Sequence, residues 1–177
     1  MSKEKGLIIV HTGTGKGKTT AAMGMALRTV GHNLKVLMAQ FIKGSWKYGE
    51  LKAIKRLHPH FEIVPLGEGF LGSNRKTPTQ DQIQLVVDAW EFCKEKVRSG
   101  QYNMIILDEI NYVIDYGLLP LDWVLDTLQK KPARLHVVLT GRNAHPRIIE
   151  AADLVTEMRE LKHPFKSGIK AQRGIEY

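Results

Sequence analysis

The sequence predicts an α/β fold in which a mostly parallel central sheet is flanked by helices. Short apolar runs alternate with helix-like patterns along the chain, as they do in βαβ units. The run at residues 104–107 is apolar at every position, which is typical of a strand buried on both faces of a parallel sheet. A glycine-rich segment follows the first apolar run and opens a helical pattern, as a phosphate-binding loop does.

The elements follow from apolar runs and helical spacing. Strands are expected at residues 7–12, 34–42, 61–66, 103–108, 134–140 and about 153–159. Helices are expected at residues 18–30, 49–57, 79–98, 110–116, 121–131 and 146–152. In the helix 79–98, Cys93 lies on the apolar face, so it is interpreted as a core residue and not as a nucleophile. Gly100 follows that helix as a usual stop signal.

Length and composition limit the class of protein. A chain of 177 residues fits one domain over 1–177 with its own core. No apolar run approaches the ~20 residues of a membrane span, so no membrane partner is expected. The N-terminus leads into the first strand without a signal-peptide pattern, and a single cysteine excludes a disulfide framework. These features predict a cytoplasmic protein.

The net charge of +8 is unevenly distributed. Residues 1–60 hold 11 Lys and Arg against 2 Asp and Glu, so the excess lies in the same third as the glycine-rich segment. Such a surface attracts a polyphosphate, an acidic protein or a nucleic acid, and charge alone does not choose among them.

A phosphate-binding loop is predicted between the first strand and the first helix. Its glycines let backbone N–H groups converge on an anion, and the helix N-terminus adds partial positive charge. Lys18 is placed to reach phosphate oxygens, and the Thr19 hydroxyl to bind Mg²⁺. Thr12 stands where the general G-x-x-x-x-G-K-[ST] pattern has glycine, so the loop is either tighter than usual or shifted in frame. The predicted ATP-binding residues are Gly13, Thr14, Gly15, Lys16, Gly17, Lys18, Thr19 and Thr20.

Charged residues follow three other predicted strands. Asp108 and Glu109 end an apolar strand, where phosphate-loop proteins hold Mg²⁺, although such a pair also caps helices. Arg142 and Lys43 leave two further strands, and the carboxyl ends of parallel strands share one edge of the sheet. Arg142 is predicted to neutralise a leaving polyphosphate, with a surface or capping arginine as the alternative. Together these features predict a P-loop NTPase-like (RecA-like) domain.

These pieces together resemble the P-loop family of ATP:corrinoid adenosyltransferases, which act on cob(I)alamin or cob(I)yrinic acid a,c-diamide. The loop alone is shared with many NTPases, whereas the loop combined with residues 40–44 and the C-terminal tail is specific. The matching stretches are residues 12–20, 26–28, 31–32, 40–44, 108–109, 140–142, 155–158, 162–165, 168 and 171–177.

The resemblance implies a reaction in which cobalt(I) of a reduced corrinoid attacks the 5′-carbon of ATP and triphosphate leaves. It implies catalytic roles for Lys18, Glu109 and Arg142, and a metal site formed by Thr19, Asp108 and Glu109. No water needs activation in this reaction, so Glu109 serves the metal. The resemblance further implies Mg²⁺, a homodimer, and an acidic flavoprotein as reductant.

The glycine-rich loop at residues 67–78 departs from the family. Members carry a Phe-x-Trp pair near the lower face of the corrin, and Phe70 matches its phenylalanine as the expected corrinoid-binding residue. Gly72 stands at the tryptophan position, and Trp46 is a candidate substitute in another loop.

Two other functions fit the same fold. A phosphoryl-transfer kinase needs an arginine-rich lid, and no such lid is evident at residues 110–133. A nucleic-acid-dependent ATPase is compatible with the basic first third, but aromatic residues do not interleave with the basic ones as in a single-strand platform. No nucleic-acid partner is therefore expected.

Overall fold

The computed structural model describes residues 5–43, 48–69 and 78–176. Six strands form one sheet in the order β3-β2-β4-β5-β1-β6, and each neighbouring pair is parallel. The strands are β1 Ile8–Thr12, β2 Val36–Gln40, β3 Phe61–Pro65, β4 Met104–Asp108, β5 His136–Thr140 and β6 Leu154–Glu157. The helices are α1 Lys18–Val30, α2 Gly49–Ile54, α3 Gln80–Arg98, α4 Ile110–Asp115, α5 Leu121–Gln129 and α6 Pro146–Ala151.

Apolar cores cover both faces of the sheet. On one face, Trp90 and Cys93 of α3 pack with the strands, and Cys93 is fully buried as predicted. On the other face, Ala22 and Ala26 of α1 pack against Met38 and its neighbours. Every residue of β1, β2 and β4 is buried, which explains why these strands lack an alternating polar pattern.

The element boundaries differ from the predicted ones where local chemistry intervenes. The predicted helix 49–57 ends as an α-helix at Ile54 and continues as a 3₁₀ turn, Lys55–Leu57. His58 and Pro59 follow, and the residue before a proline is disfavoured in the α conformation. Helix α3 begins one residue later than predicted because Thr79 caps it: the Thr79 hydroxyl accepts from Gln82 N (3.2 Å).

The topology places the candidate site at the carboxyl edge of the sheet, where β1, β2, β4 and β5 all end. The assignment of residues 1–177 to one domain stays a prediction that the single sheet supports. Among the described residues, the structure contains no helix with the length and apolar character needed to cross a bilayer.

Candidate active site

The glycine-rich loop joins β1 directly to α1. Gly13 and Gly17 have φ angles of 94° and 105°, a backbone region that suits glycine, and Gly17 is the N-cap of α1. The Lys18 ammonium group folds over the loop and donates to Gly13 O (2.9 Å) and Gly15 O (2.5 Å). Burial lowers the pKa of Lys18, which Glu109 raises in part and Arg142 lowers further. The loop thus holds a desolvated cation against its own carbonyls.

The backbone just after β6 is hydrogen-bonded to the phosphate loop. Met158 N donates to Thr12 O (2.9 Å), and Gly15 N donates to Met158 O (2.6 Å). A Cβ atom on Gly15 would lie 2.8 Å from Met158 O and 3.0 Å from Arg159 O. The glycine is therefore needed for the close approach of two backbone segments.

Replacing Gly15 by alanine is expected to lower the free energy of unfolding by about 1–3 kcal/mol, because the backbone of residues 158–159 would have to move. The matched control is Gly24→Ala. No heavy atom lies within 4 Å of a Cβ there, in the interior of α1, so stability should rise by about 0.5–1 kcal/mol. Urea unfolding without nucleotide measures both changes, and an undiminished stability of Gly15→Ala would contradict the prediction.

Asp108 lies at the end of β4 and is fully buried. Its Oδ1 accepts hydrogen bonds from the hydroxyls of Thr19 (2.8 Å) and Thr140 (2.7 Å). Its Oδ2 accepts from Gln40 Nε2 (3.2 Å), and the Lys43 ammonium lies 3.8 Å away. Side chains from β2, β5 and α1 therefore converge on the carboxylate at the end of β4.

Glu109 occupies a strained position beside it. Its φ is 66°, which is uncommon for a residue with a side chain and clusters at functional sites. Glu109 is the N-cap of α4, but its side chain makes no capping hydrogen bond, so the simple capping interpretation does not describe it. Burial, followed by the charge of Asp108, raises the pKa of Glu109 to about 7, against the opposing effect of Lys18, Lys43 and Arg142.

The donor set fits a magnesium ion. Buried Glu109 Oε2 has no hydrogen-bond partner among the described residues, and Asp108 and Thr19 add oxygen atoms of the kind Mg²⁺ prefers. The described ranges contain no group of three or more His, Cys, Asp or Glu side chains that could hold a metal. An ion here would thus depend on a carboxylate or two together with substrate phosphates, which is the usual arrangement for Mg²⁺.

A cavity of about 740 Å³ lies over these residues. Residues 15–20, Lys43, Glu109 and Arg142 line it, whereas Gly13, Thr14 and Asp108 are not among its lining residues. The Thr14 hydroxyl faces the tail instead and accepts from Glu160 N (3.4 Å). Phe70, Gly72 and Trp46 lie outside the described residues.

Two lining residues, Glu50 and Tyr112, were not predicted from the sequence. Glu50 at the start of α2 lines the cavity and accepts from the Lys43 ammonium (3.3 Å). Tyr112 lies one turn after Glu109 on α4, and its ring stacks on Tyr116 at 5.8 Å. Both belong to short helices whose positions depend on the sheet, so only the proximity of Tyr112 to Glu109 in sequence was a usable signal.

The C-terminal tail forms the remaining wall. Residues 163–165, 169, 171 and 174–176 line the cavity. The Glu176 carboxylate pairs with Lys16 of the loop (3.2 Å) and accepts from Gln172 N (2.7 Å). The sequence marks the tail as a family-like motif but does not place it beside the phosphate loop.

The family model of the ATP:corrinoid adenosyltransferases BtuR/CobO/CobP matches residues 4–177. The chain belongs to this family. A corrinoid adenosyltransferase of Sinorhizobium sp. is 46% identical, over 98% of this chain and 81% of that protein. The corrinoid adenosyltransferase of Escherichia coli K12 is 41% identical, over 98% and 87%. The corrinoid adenosyltransferase CobA of Salmonella typhimurium is 40% identical, over 99% and 87%.

Solved structures at low identity share the fold of this adenosyltransferase. The flagellar accessory protein FlaH of Methanocaldococcus jannaschii superposes with a TM-score of 0.54 at 15% identity, covering 87% of this chain and 71% of FlaH. The genome packaging NTPase B204 of Sulfolobus turreted icosahedral virus 2 gives 0.50 at 14%, covering 91% and 79%. The predicted P-loop NTPase-like fold is thereby confirmed.

Proposed function

We propose that the chain transfers the 5′-deoxyadenosyl group of ATP to cobalt(I) of a reduced corrinoid, in adenosylcobalamin biosynthesis or salvage. The observation that carries this proposal is the convergence of the phosphate loop, Glu109 and Arg142 on one cavity, with buried Asp108 hydrogen-bonded to Thr19 of its lining. Family membership over residues 4–177 selects adenosyl transfer among the reactions such a cavity supports.

The reaction requires stabilisation of a leaving group and no activated water. The electron pair of cobalt(I) forms a bond to the 5′-carbon, the bond from that carbon to oxygen breaks, and triphosphate departs with the electrons of the broken bond. Negative charge therefore grows on the triphosphate in the transition state. Loop N–H groups, Lys18 and Arg142 stabilise that charge if they are already oriented towards it.

Thr19, Asp108 and Glu109 are proposed to hold Mg²⁺, because they provide oxygen atoms and an unpartnered buried carboxylate oxygen. The bound ion would supply positive charge to the triphosphate oxygens. Glu109 then acts as a metal-side group and not as a base. Its raised pKa in the absence of the ion reflects the cost of keeping two carboxylates buried together.

Further parts of the proposal rest on the family resemblance. Phe70 is proposed to contact the corrinoid, and the chain to act in the cytoplasm as a homodimer. The reductant is proposed to be an acidic flavoprotein, which the excess of positive charge in residues 1–60 favours.

The proposed function is tested by incubating the protein with ATP, Mg²⁺ and chemically reduced cobalamin. A light-sensitive cobalt–carbon product and one triphosphate per product are expected, and omission of the reductant is the control. ADP and phosphate without an alkylated corrinoid would contradict the proposal and favour a kinase or an ATPase.

A further inference from the structure

The position of Arg142 depends on the backbone of its loop, residues 141–144, which follows β5. The Arg142 side chain is exposed and lines the cavity, and it makes no hydrogen bond or ion pair with the residues that the structure describes. A free arginine side chain carries about 2 kcal/mol of rotamer entropy. The place of its guanidinium over the cavity therefore depends on how firmly this loop, here called the arginine loop, is held.

Asn111 of α4 holds the first residue of the arginine loop. It is 1% exposed, and its Nδ2 donates to Gly141 O (3.3 Å). Gly141 has a φ of 125° and lies so close to α4 that a Cβ atom there would be 3.0 Å from the Cβ of Asn111. Asn111 Oδ1 is buried without a partner in the described part of the chain. Because an unsatisfied buried oxygen costs stability, the role of this amide is explained by the position that it gives to the loop.

Thr12 holds the last residue of the arginine loop. Thr12 is buried, and its Oγ1 accepts a hydrogen bond from Ala144 N (3.1 Å). Thr12 is also the residue that stands where the general phosphate-loop pattern has glycine, and a glycine has no side chain with which to make this contact. The departure from the general pattern therefore connects the start of the phosphate loop to the backbone two residues after Arg142.

Residues on both sides of Arg142 are also bonded to the segment that carries Glu109. The Thr140 hydroxyl oxygen accepts from Glu109 N (2.9 Å), and Asn143 Nδ2 donates to Asp115 Oδ2 (2.9 Å). Asp115 is the last residue of α4. The backbones of Glu109 and Arg142 are therefore held in a fixed relative position. Such positioning matters for catalysis, because a displacement of about 1 Å can cost about 10² in rate.

We propose that Thr12 and Asn111 are positioning residues for Arg142, which fix the arginine loop so that the guanidinium meets the triphosphate as its charge grows. The inference rests on the proposed function, in which Arg142 stabilises the departing triphosphate, and it adds what orients that group. Because the charge is fully developed on free triphosphate, the same orientation strengthens the binding of this product. The inference can therefore be tested by binding as well as by turnover.

The test is a double-mutant cycle on the affinity for inorganic tripolyphosphate with Mg²⁺, measured by calorimetry. Thr12→Val and Asn111→Leu each remove one hydrogen bond at similar side-chain volume, and each is expected to weaken binding about fivefold. Arg142→Ala is expected to weaken it about 10–100-fold. In the Arg142→Ala background the first two substitutions should have no further effect, because no guanidinium is left to position. In turnover, both should lower kcat about fivefold and leave the KM for the corrinoid unchanged.

Two control variants separate positioning from folding. Thr12→Ser keeps the hydroxyl and should bind tripolyphosphate as the wild-type protein does. Asn103→Ala removes another bond between an asparagine side chain and the backbone, because Asn103 Oδ1 accepts from Lys35 N (2.9 Å). Asn103 precedes β4, at the edge of the sheet opposite Arg142, so tripolyphosphate affinity should not change. Thermal unfolding checks that each variant is folded, and Asn111→Ala replaces Asn111→Leu if the larger side chain prevents folding.

Two outcomes would overturn the inference. Equal losses in the wild-type and Arg142→Ala backgrounds would mean that Thr12 and Asn111 support the phosphate loop or the fold and do not act through Arg142. Unchanged tripolyphosphate affinity in Thr12→Val and Asn111→Leu would mean that the arginine loop is positioned without them. If the wild-type protein makes no adenosylated corrinoid, the proposed function fails, and the binding cycle, which needs no corrinoid, still decides the inference.

Discussion

Replacing Lys18 by alanine is expected to lower turnover by about 10²–10³, the usual cost of removing one oriented donor from a charge-stabilising site. Lys18 lies at the start of α1 with its ammonium group inside the loop, where burial leaves few competing water molecules. Its positive charge stabilises the transition state, in which negative charge grows on the departing triphosphate. The measurement is triphosphate release at saturating ATP and reduced corrinoid.

A surface lysine provides the control for this loss. Lys130→Ala removes a 65%-exposed cation at the end of α5, where it pairs with Asp126, and turnover should stay at the wild-type level. Thermal unfolding of both variants separates loss of function from loss of fold. Wild-type turnover in Lys18→Ala would show that the triphosphate binds elsewhere.

The second large effect is expected for Asp108→Asn. Asp108 Oδ1 accepts from two hydroxyls, and an amide in its place removes the charge that would attract a cation. We expect turnover to fall by about 10²–10³ at the Mg²⁺ concentration that saturates the wild-type protein, and the Mg²⁺ needed for half-maximal activity to rise. Titration of activity with Mg²⁺ measures both quantities. An unchanged Mg²⁺ requirement would remove Asp108 from the proposed metal site.

Glu109→Gln is the matched comparison within the same pair. Because the pKa of Glu109 is raised to about 7, part of the population is protonated and uncharged at neutral pH before any substitution. In the metal-free protein the carboxyl group carries its charge above that pKa, so the loss of Mg²⁺ affinity caused by Glu109→Gln should grow as the pH rises through 7, which Mg²⁺ titrations at several pH values measure. A variant that loses ATP hydrolysis but retains adenosyl transfer would instead support the ATPase interpretation.

Local chemistry was sufficient to predict most elements and much of the site. An apolar run such as residues 104–107 directly predicts a strand buried on both faces. The phosphate loop could be predicted because its glycines and lysines lie in the consecutive residues 13–20. The edge shared by Asp108 and Arg142 also followed, since parallel strands present their carboxyl ends together. The helical segment 49–57 ends where it was predicted, before His58 and Pro59, but the change from α-helix to 3₁₀ turn after Ile54 was not predicted.

The sequence by itself determined the elements, the phosphate loop, the buried carboxylate pair and, through the family-like tail, the reaction class. Only the tertiary structure decided the strand order, the approach of Met158 to Gly15, and the position of the C-terminal tail in the cavity that Lys18 lines. The physical reason is the distance along the sequence over which each interaction acts. Helical spacing and turn preferences act between near neighbours, whereas the Lys16–Glu176 pair joins residues 160 positions apart, which only the packed sheet brings together.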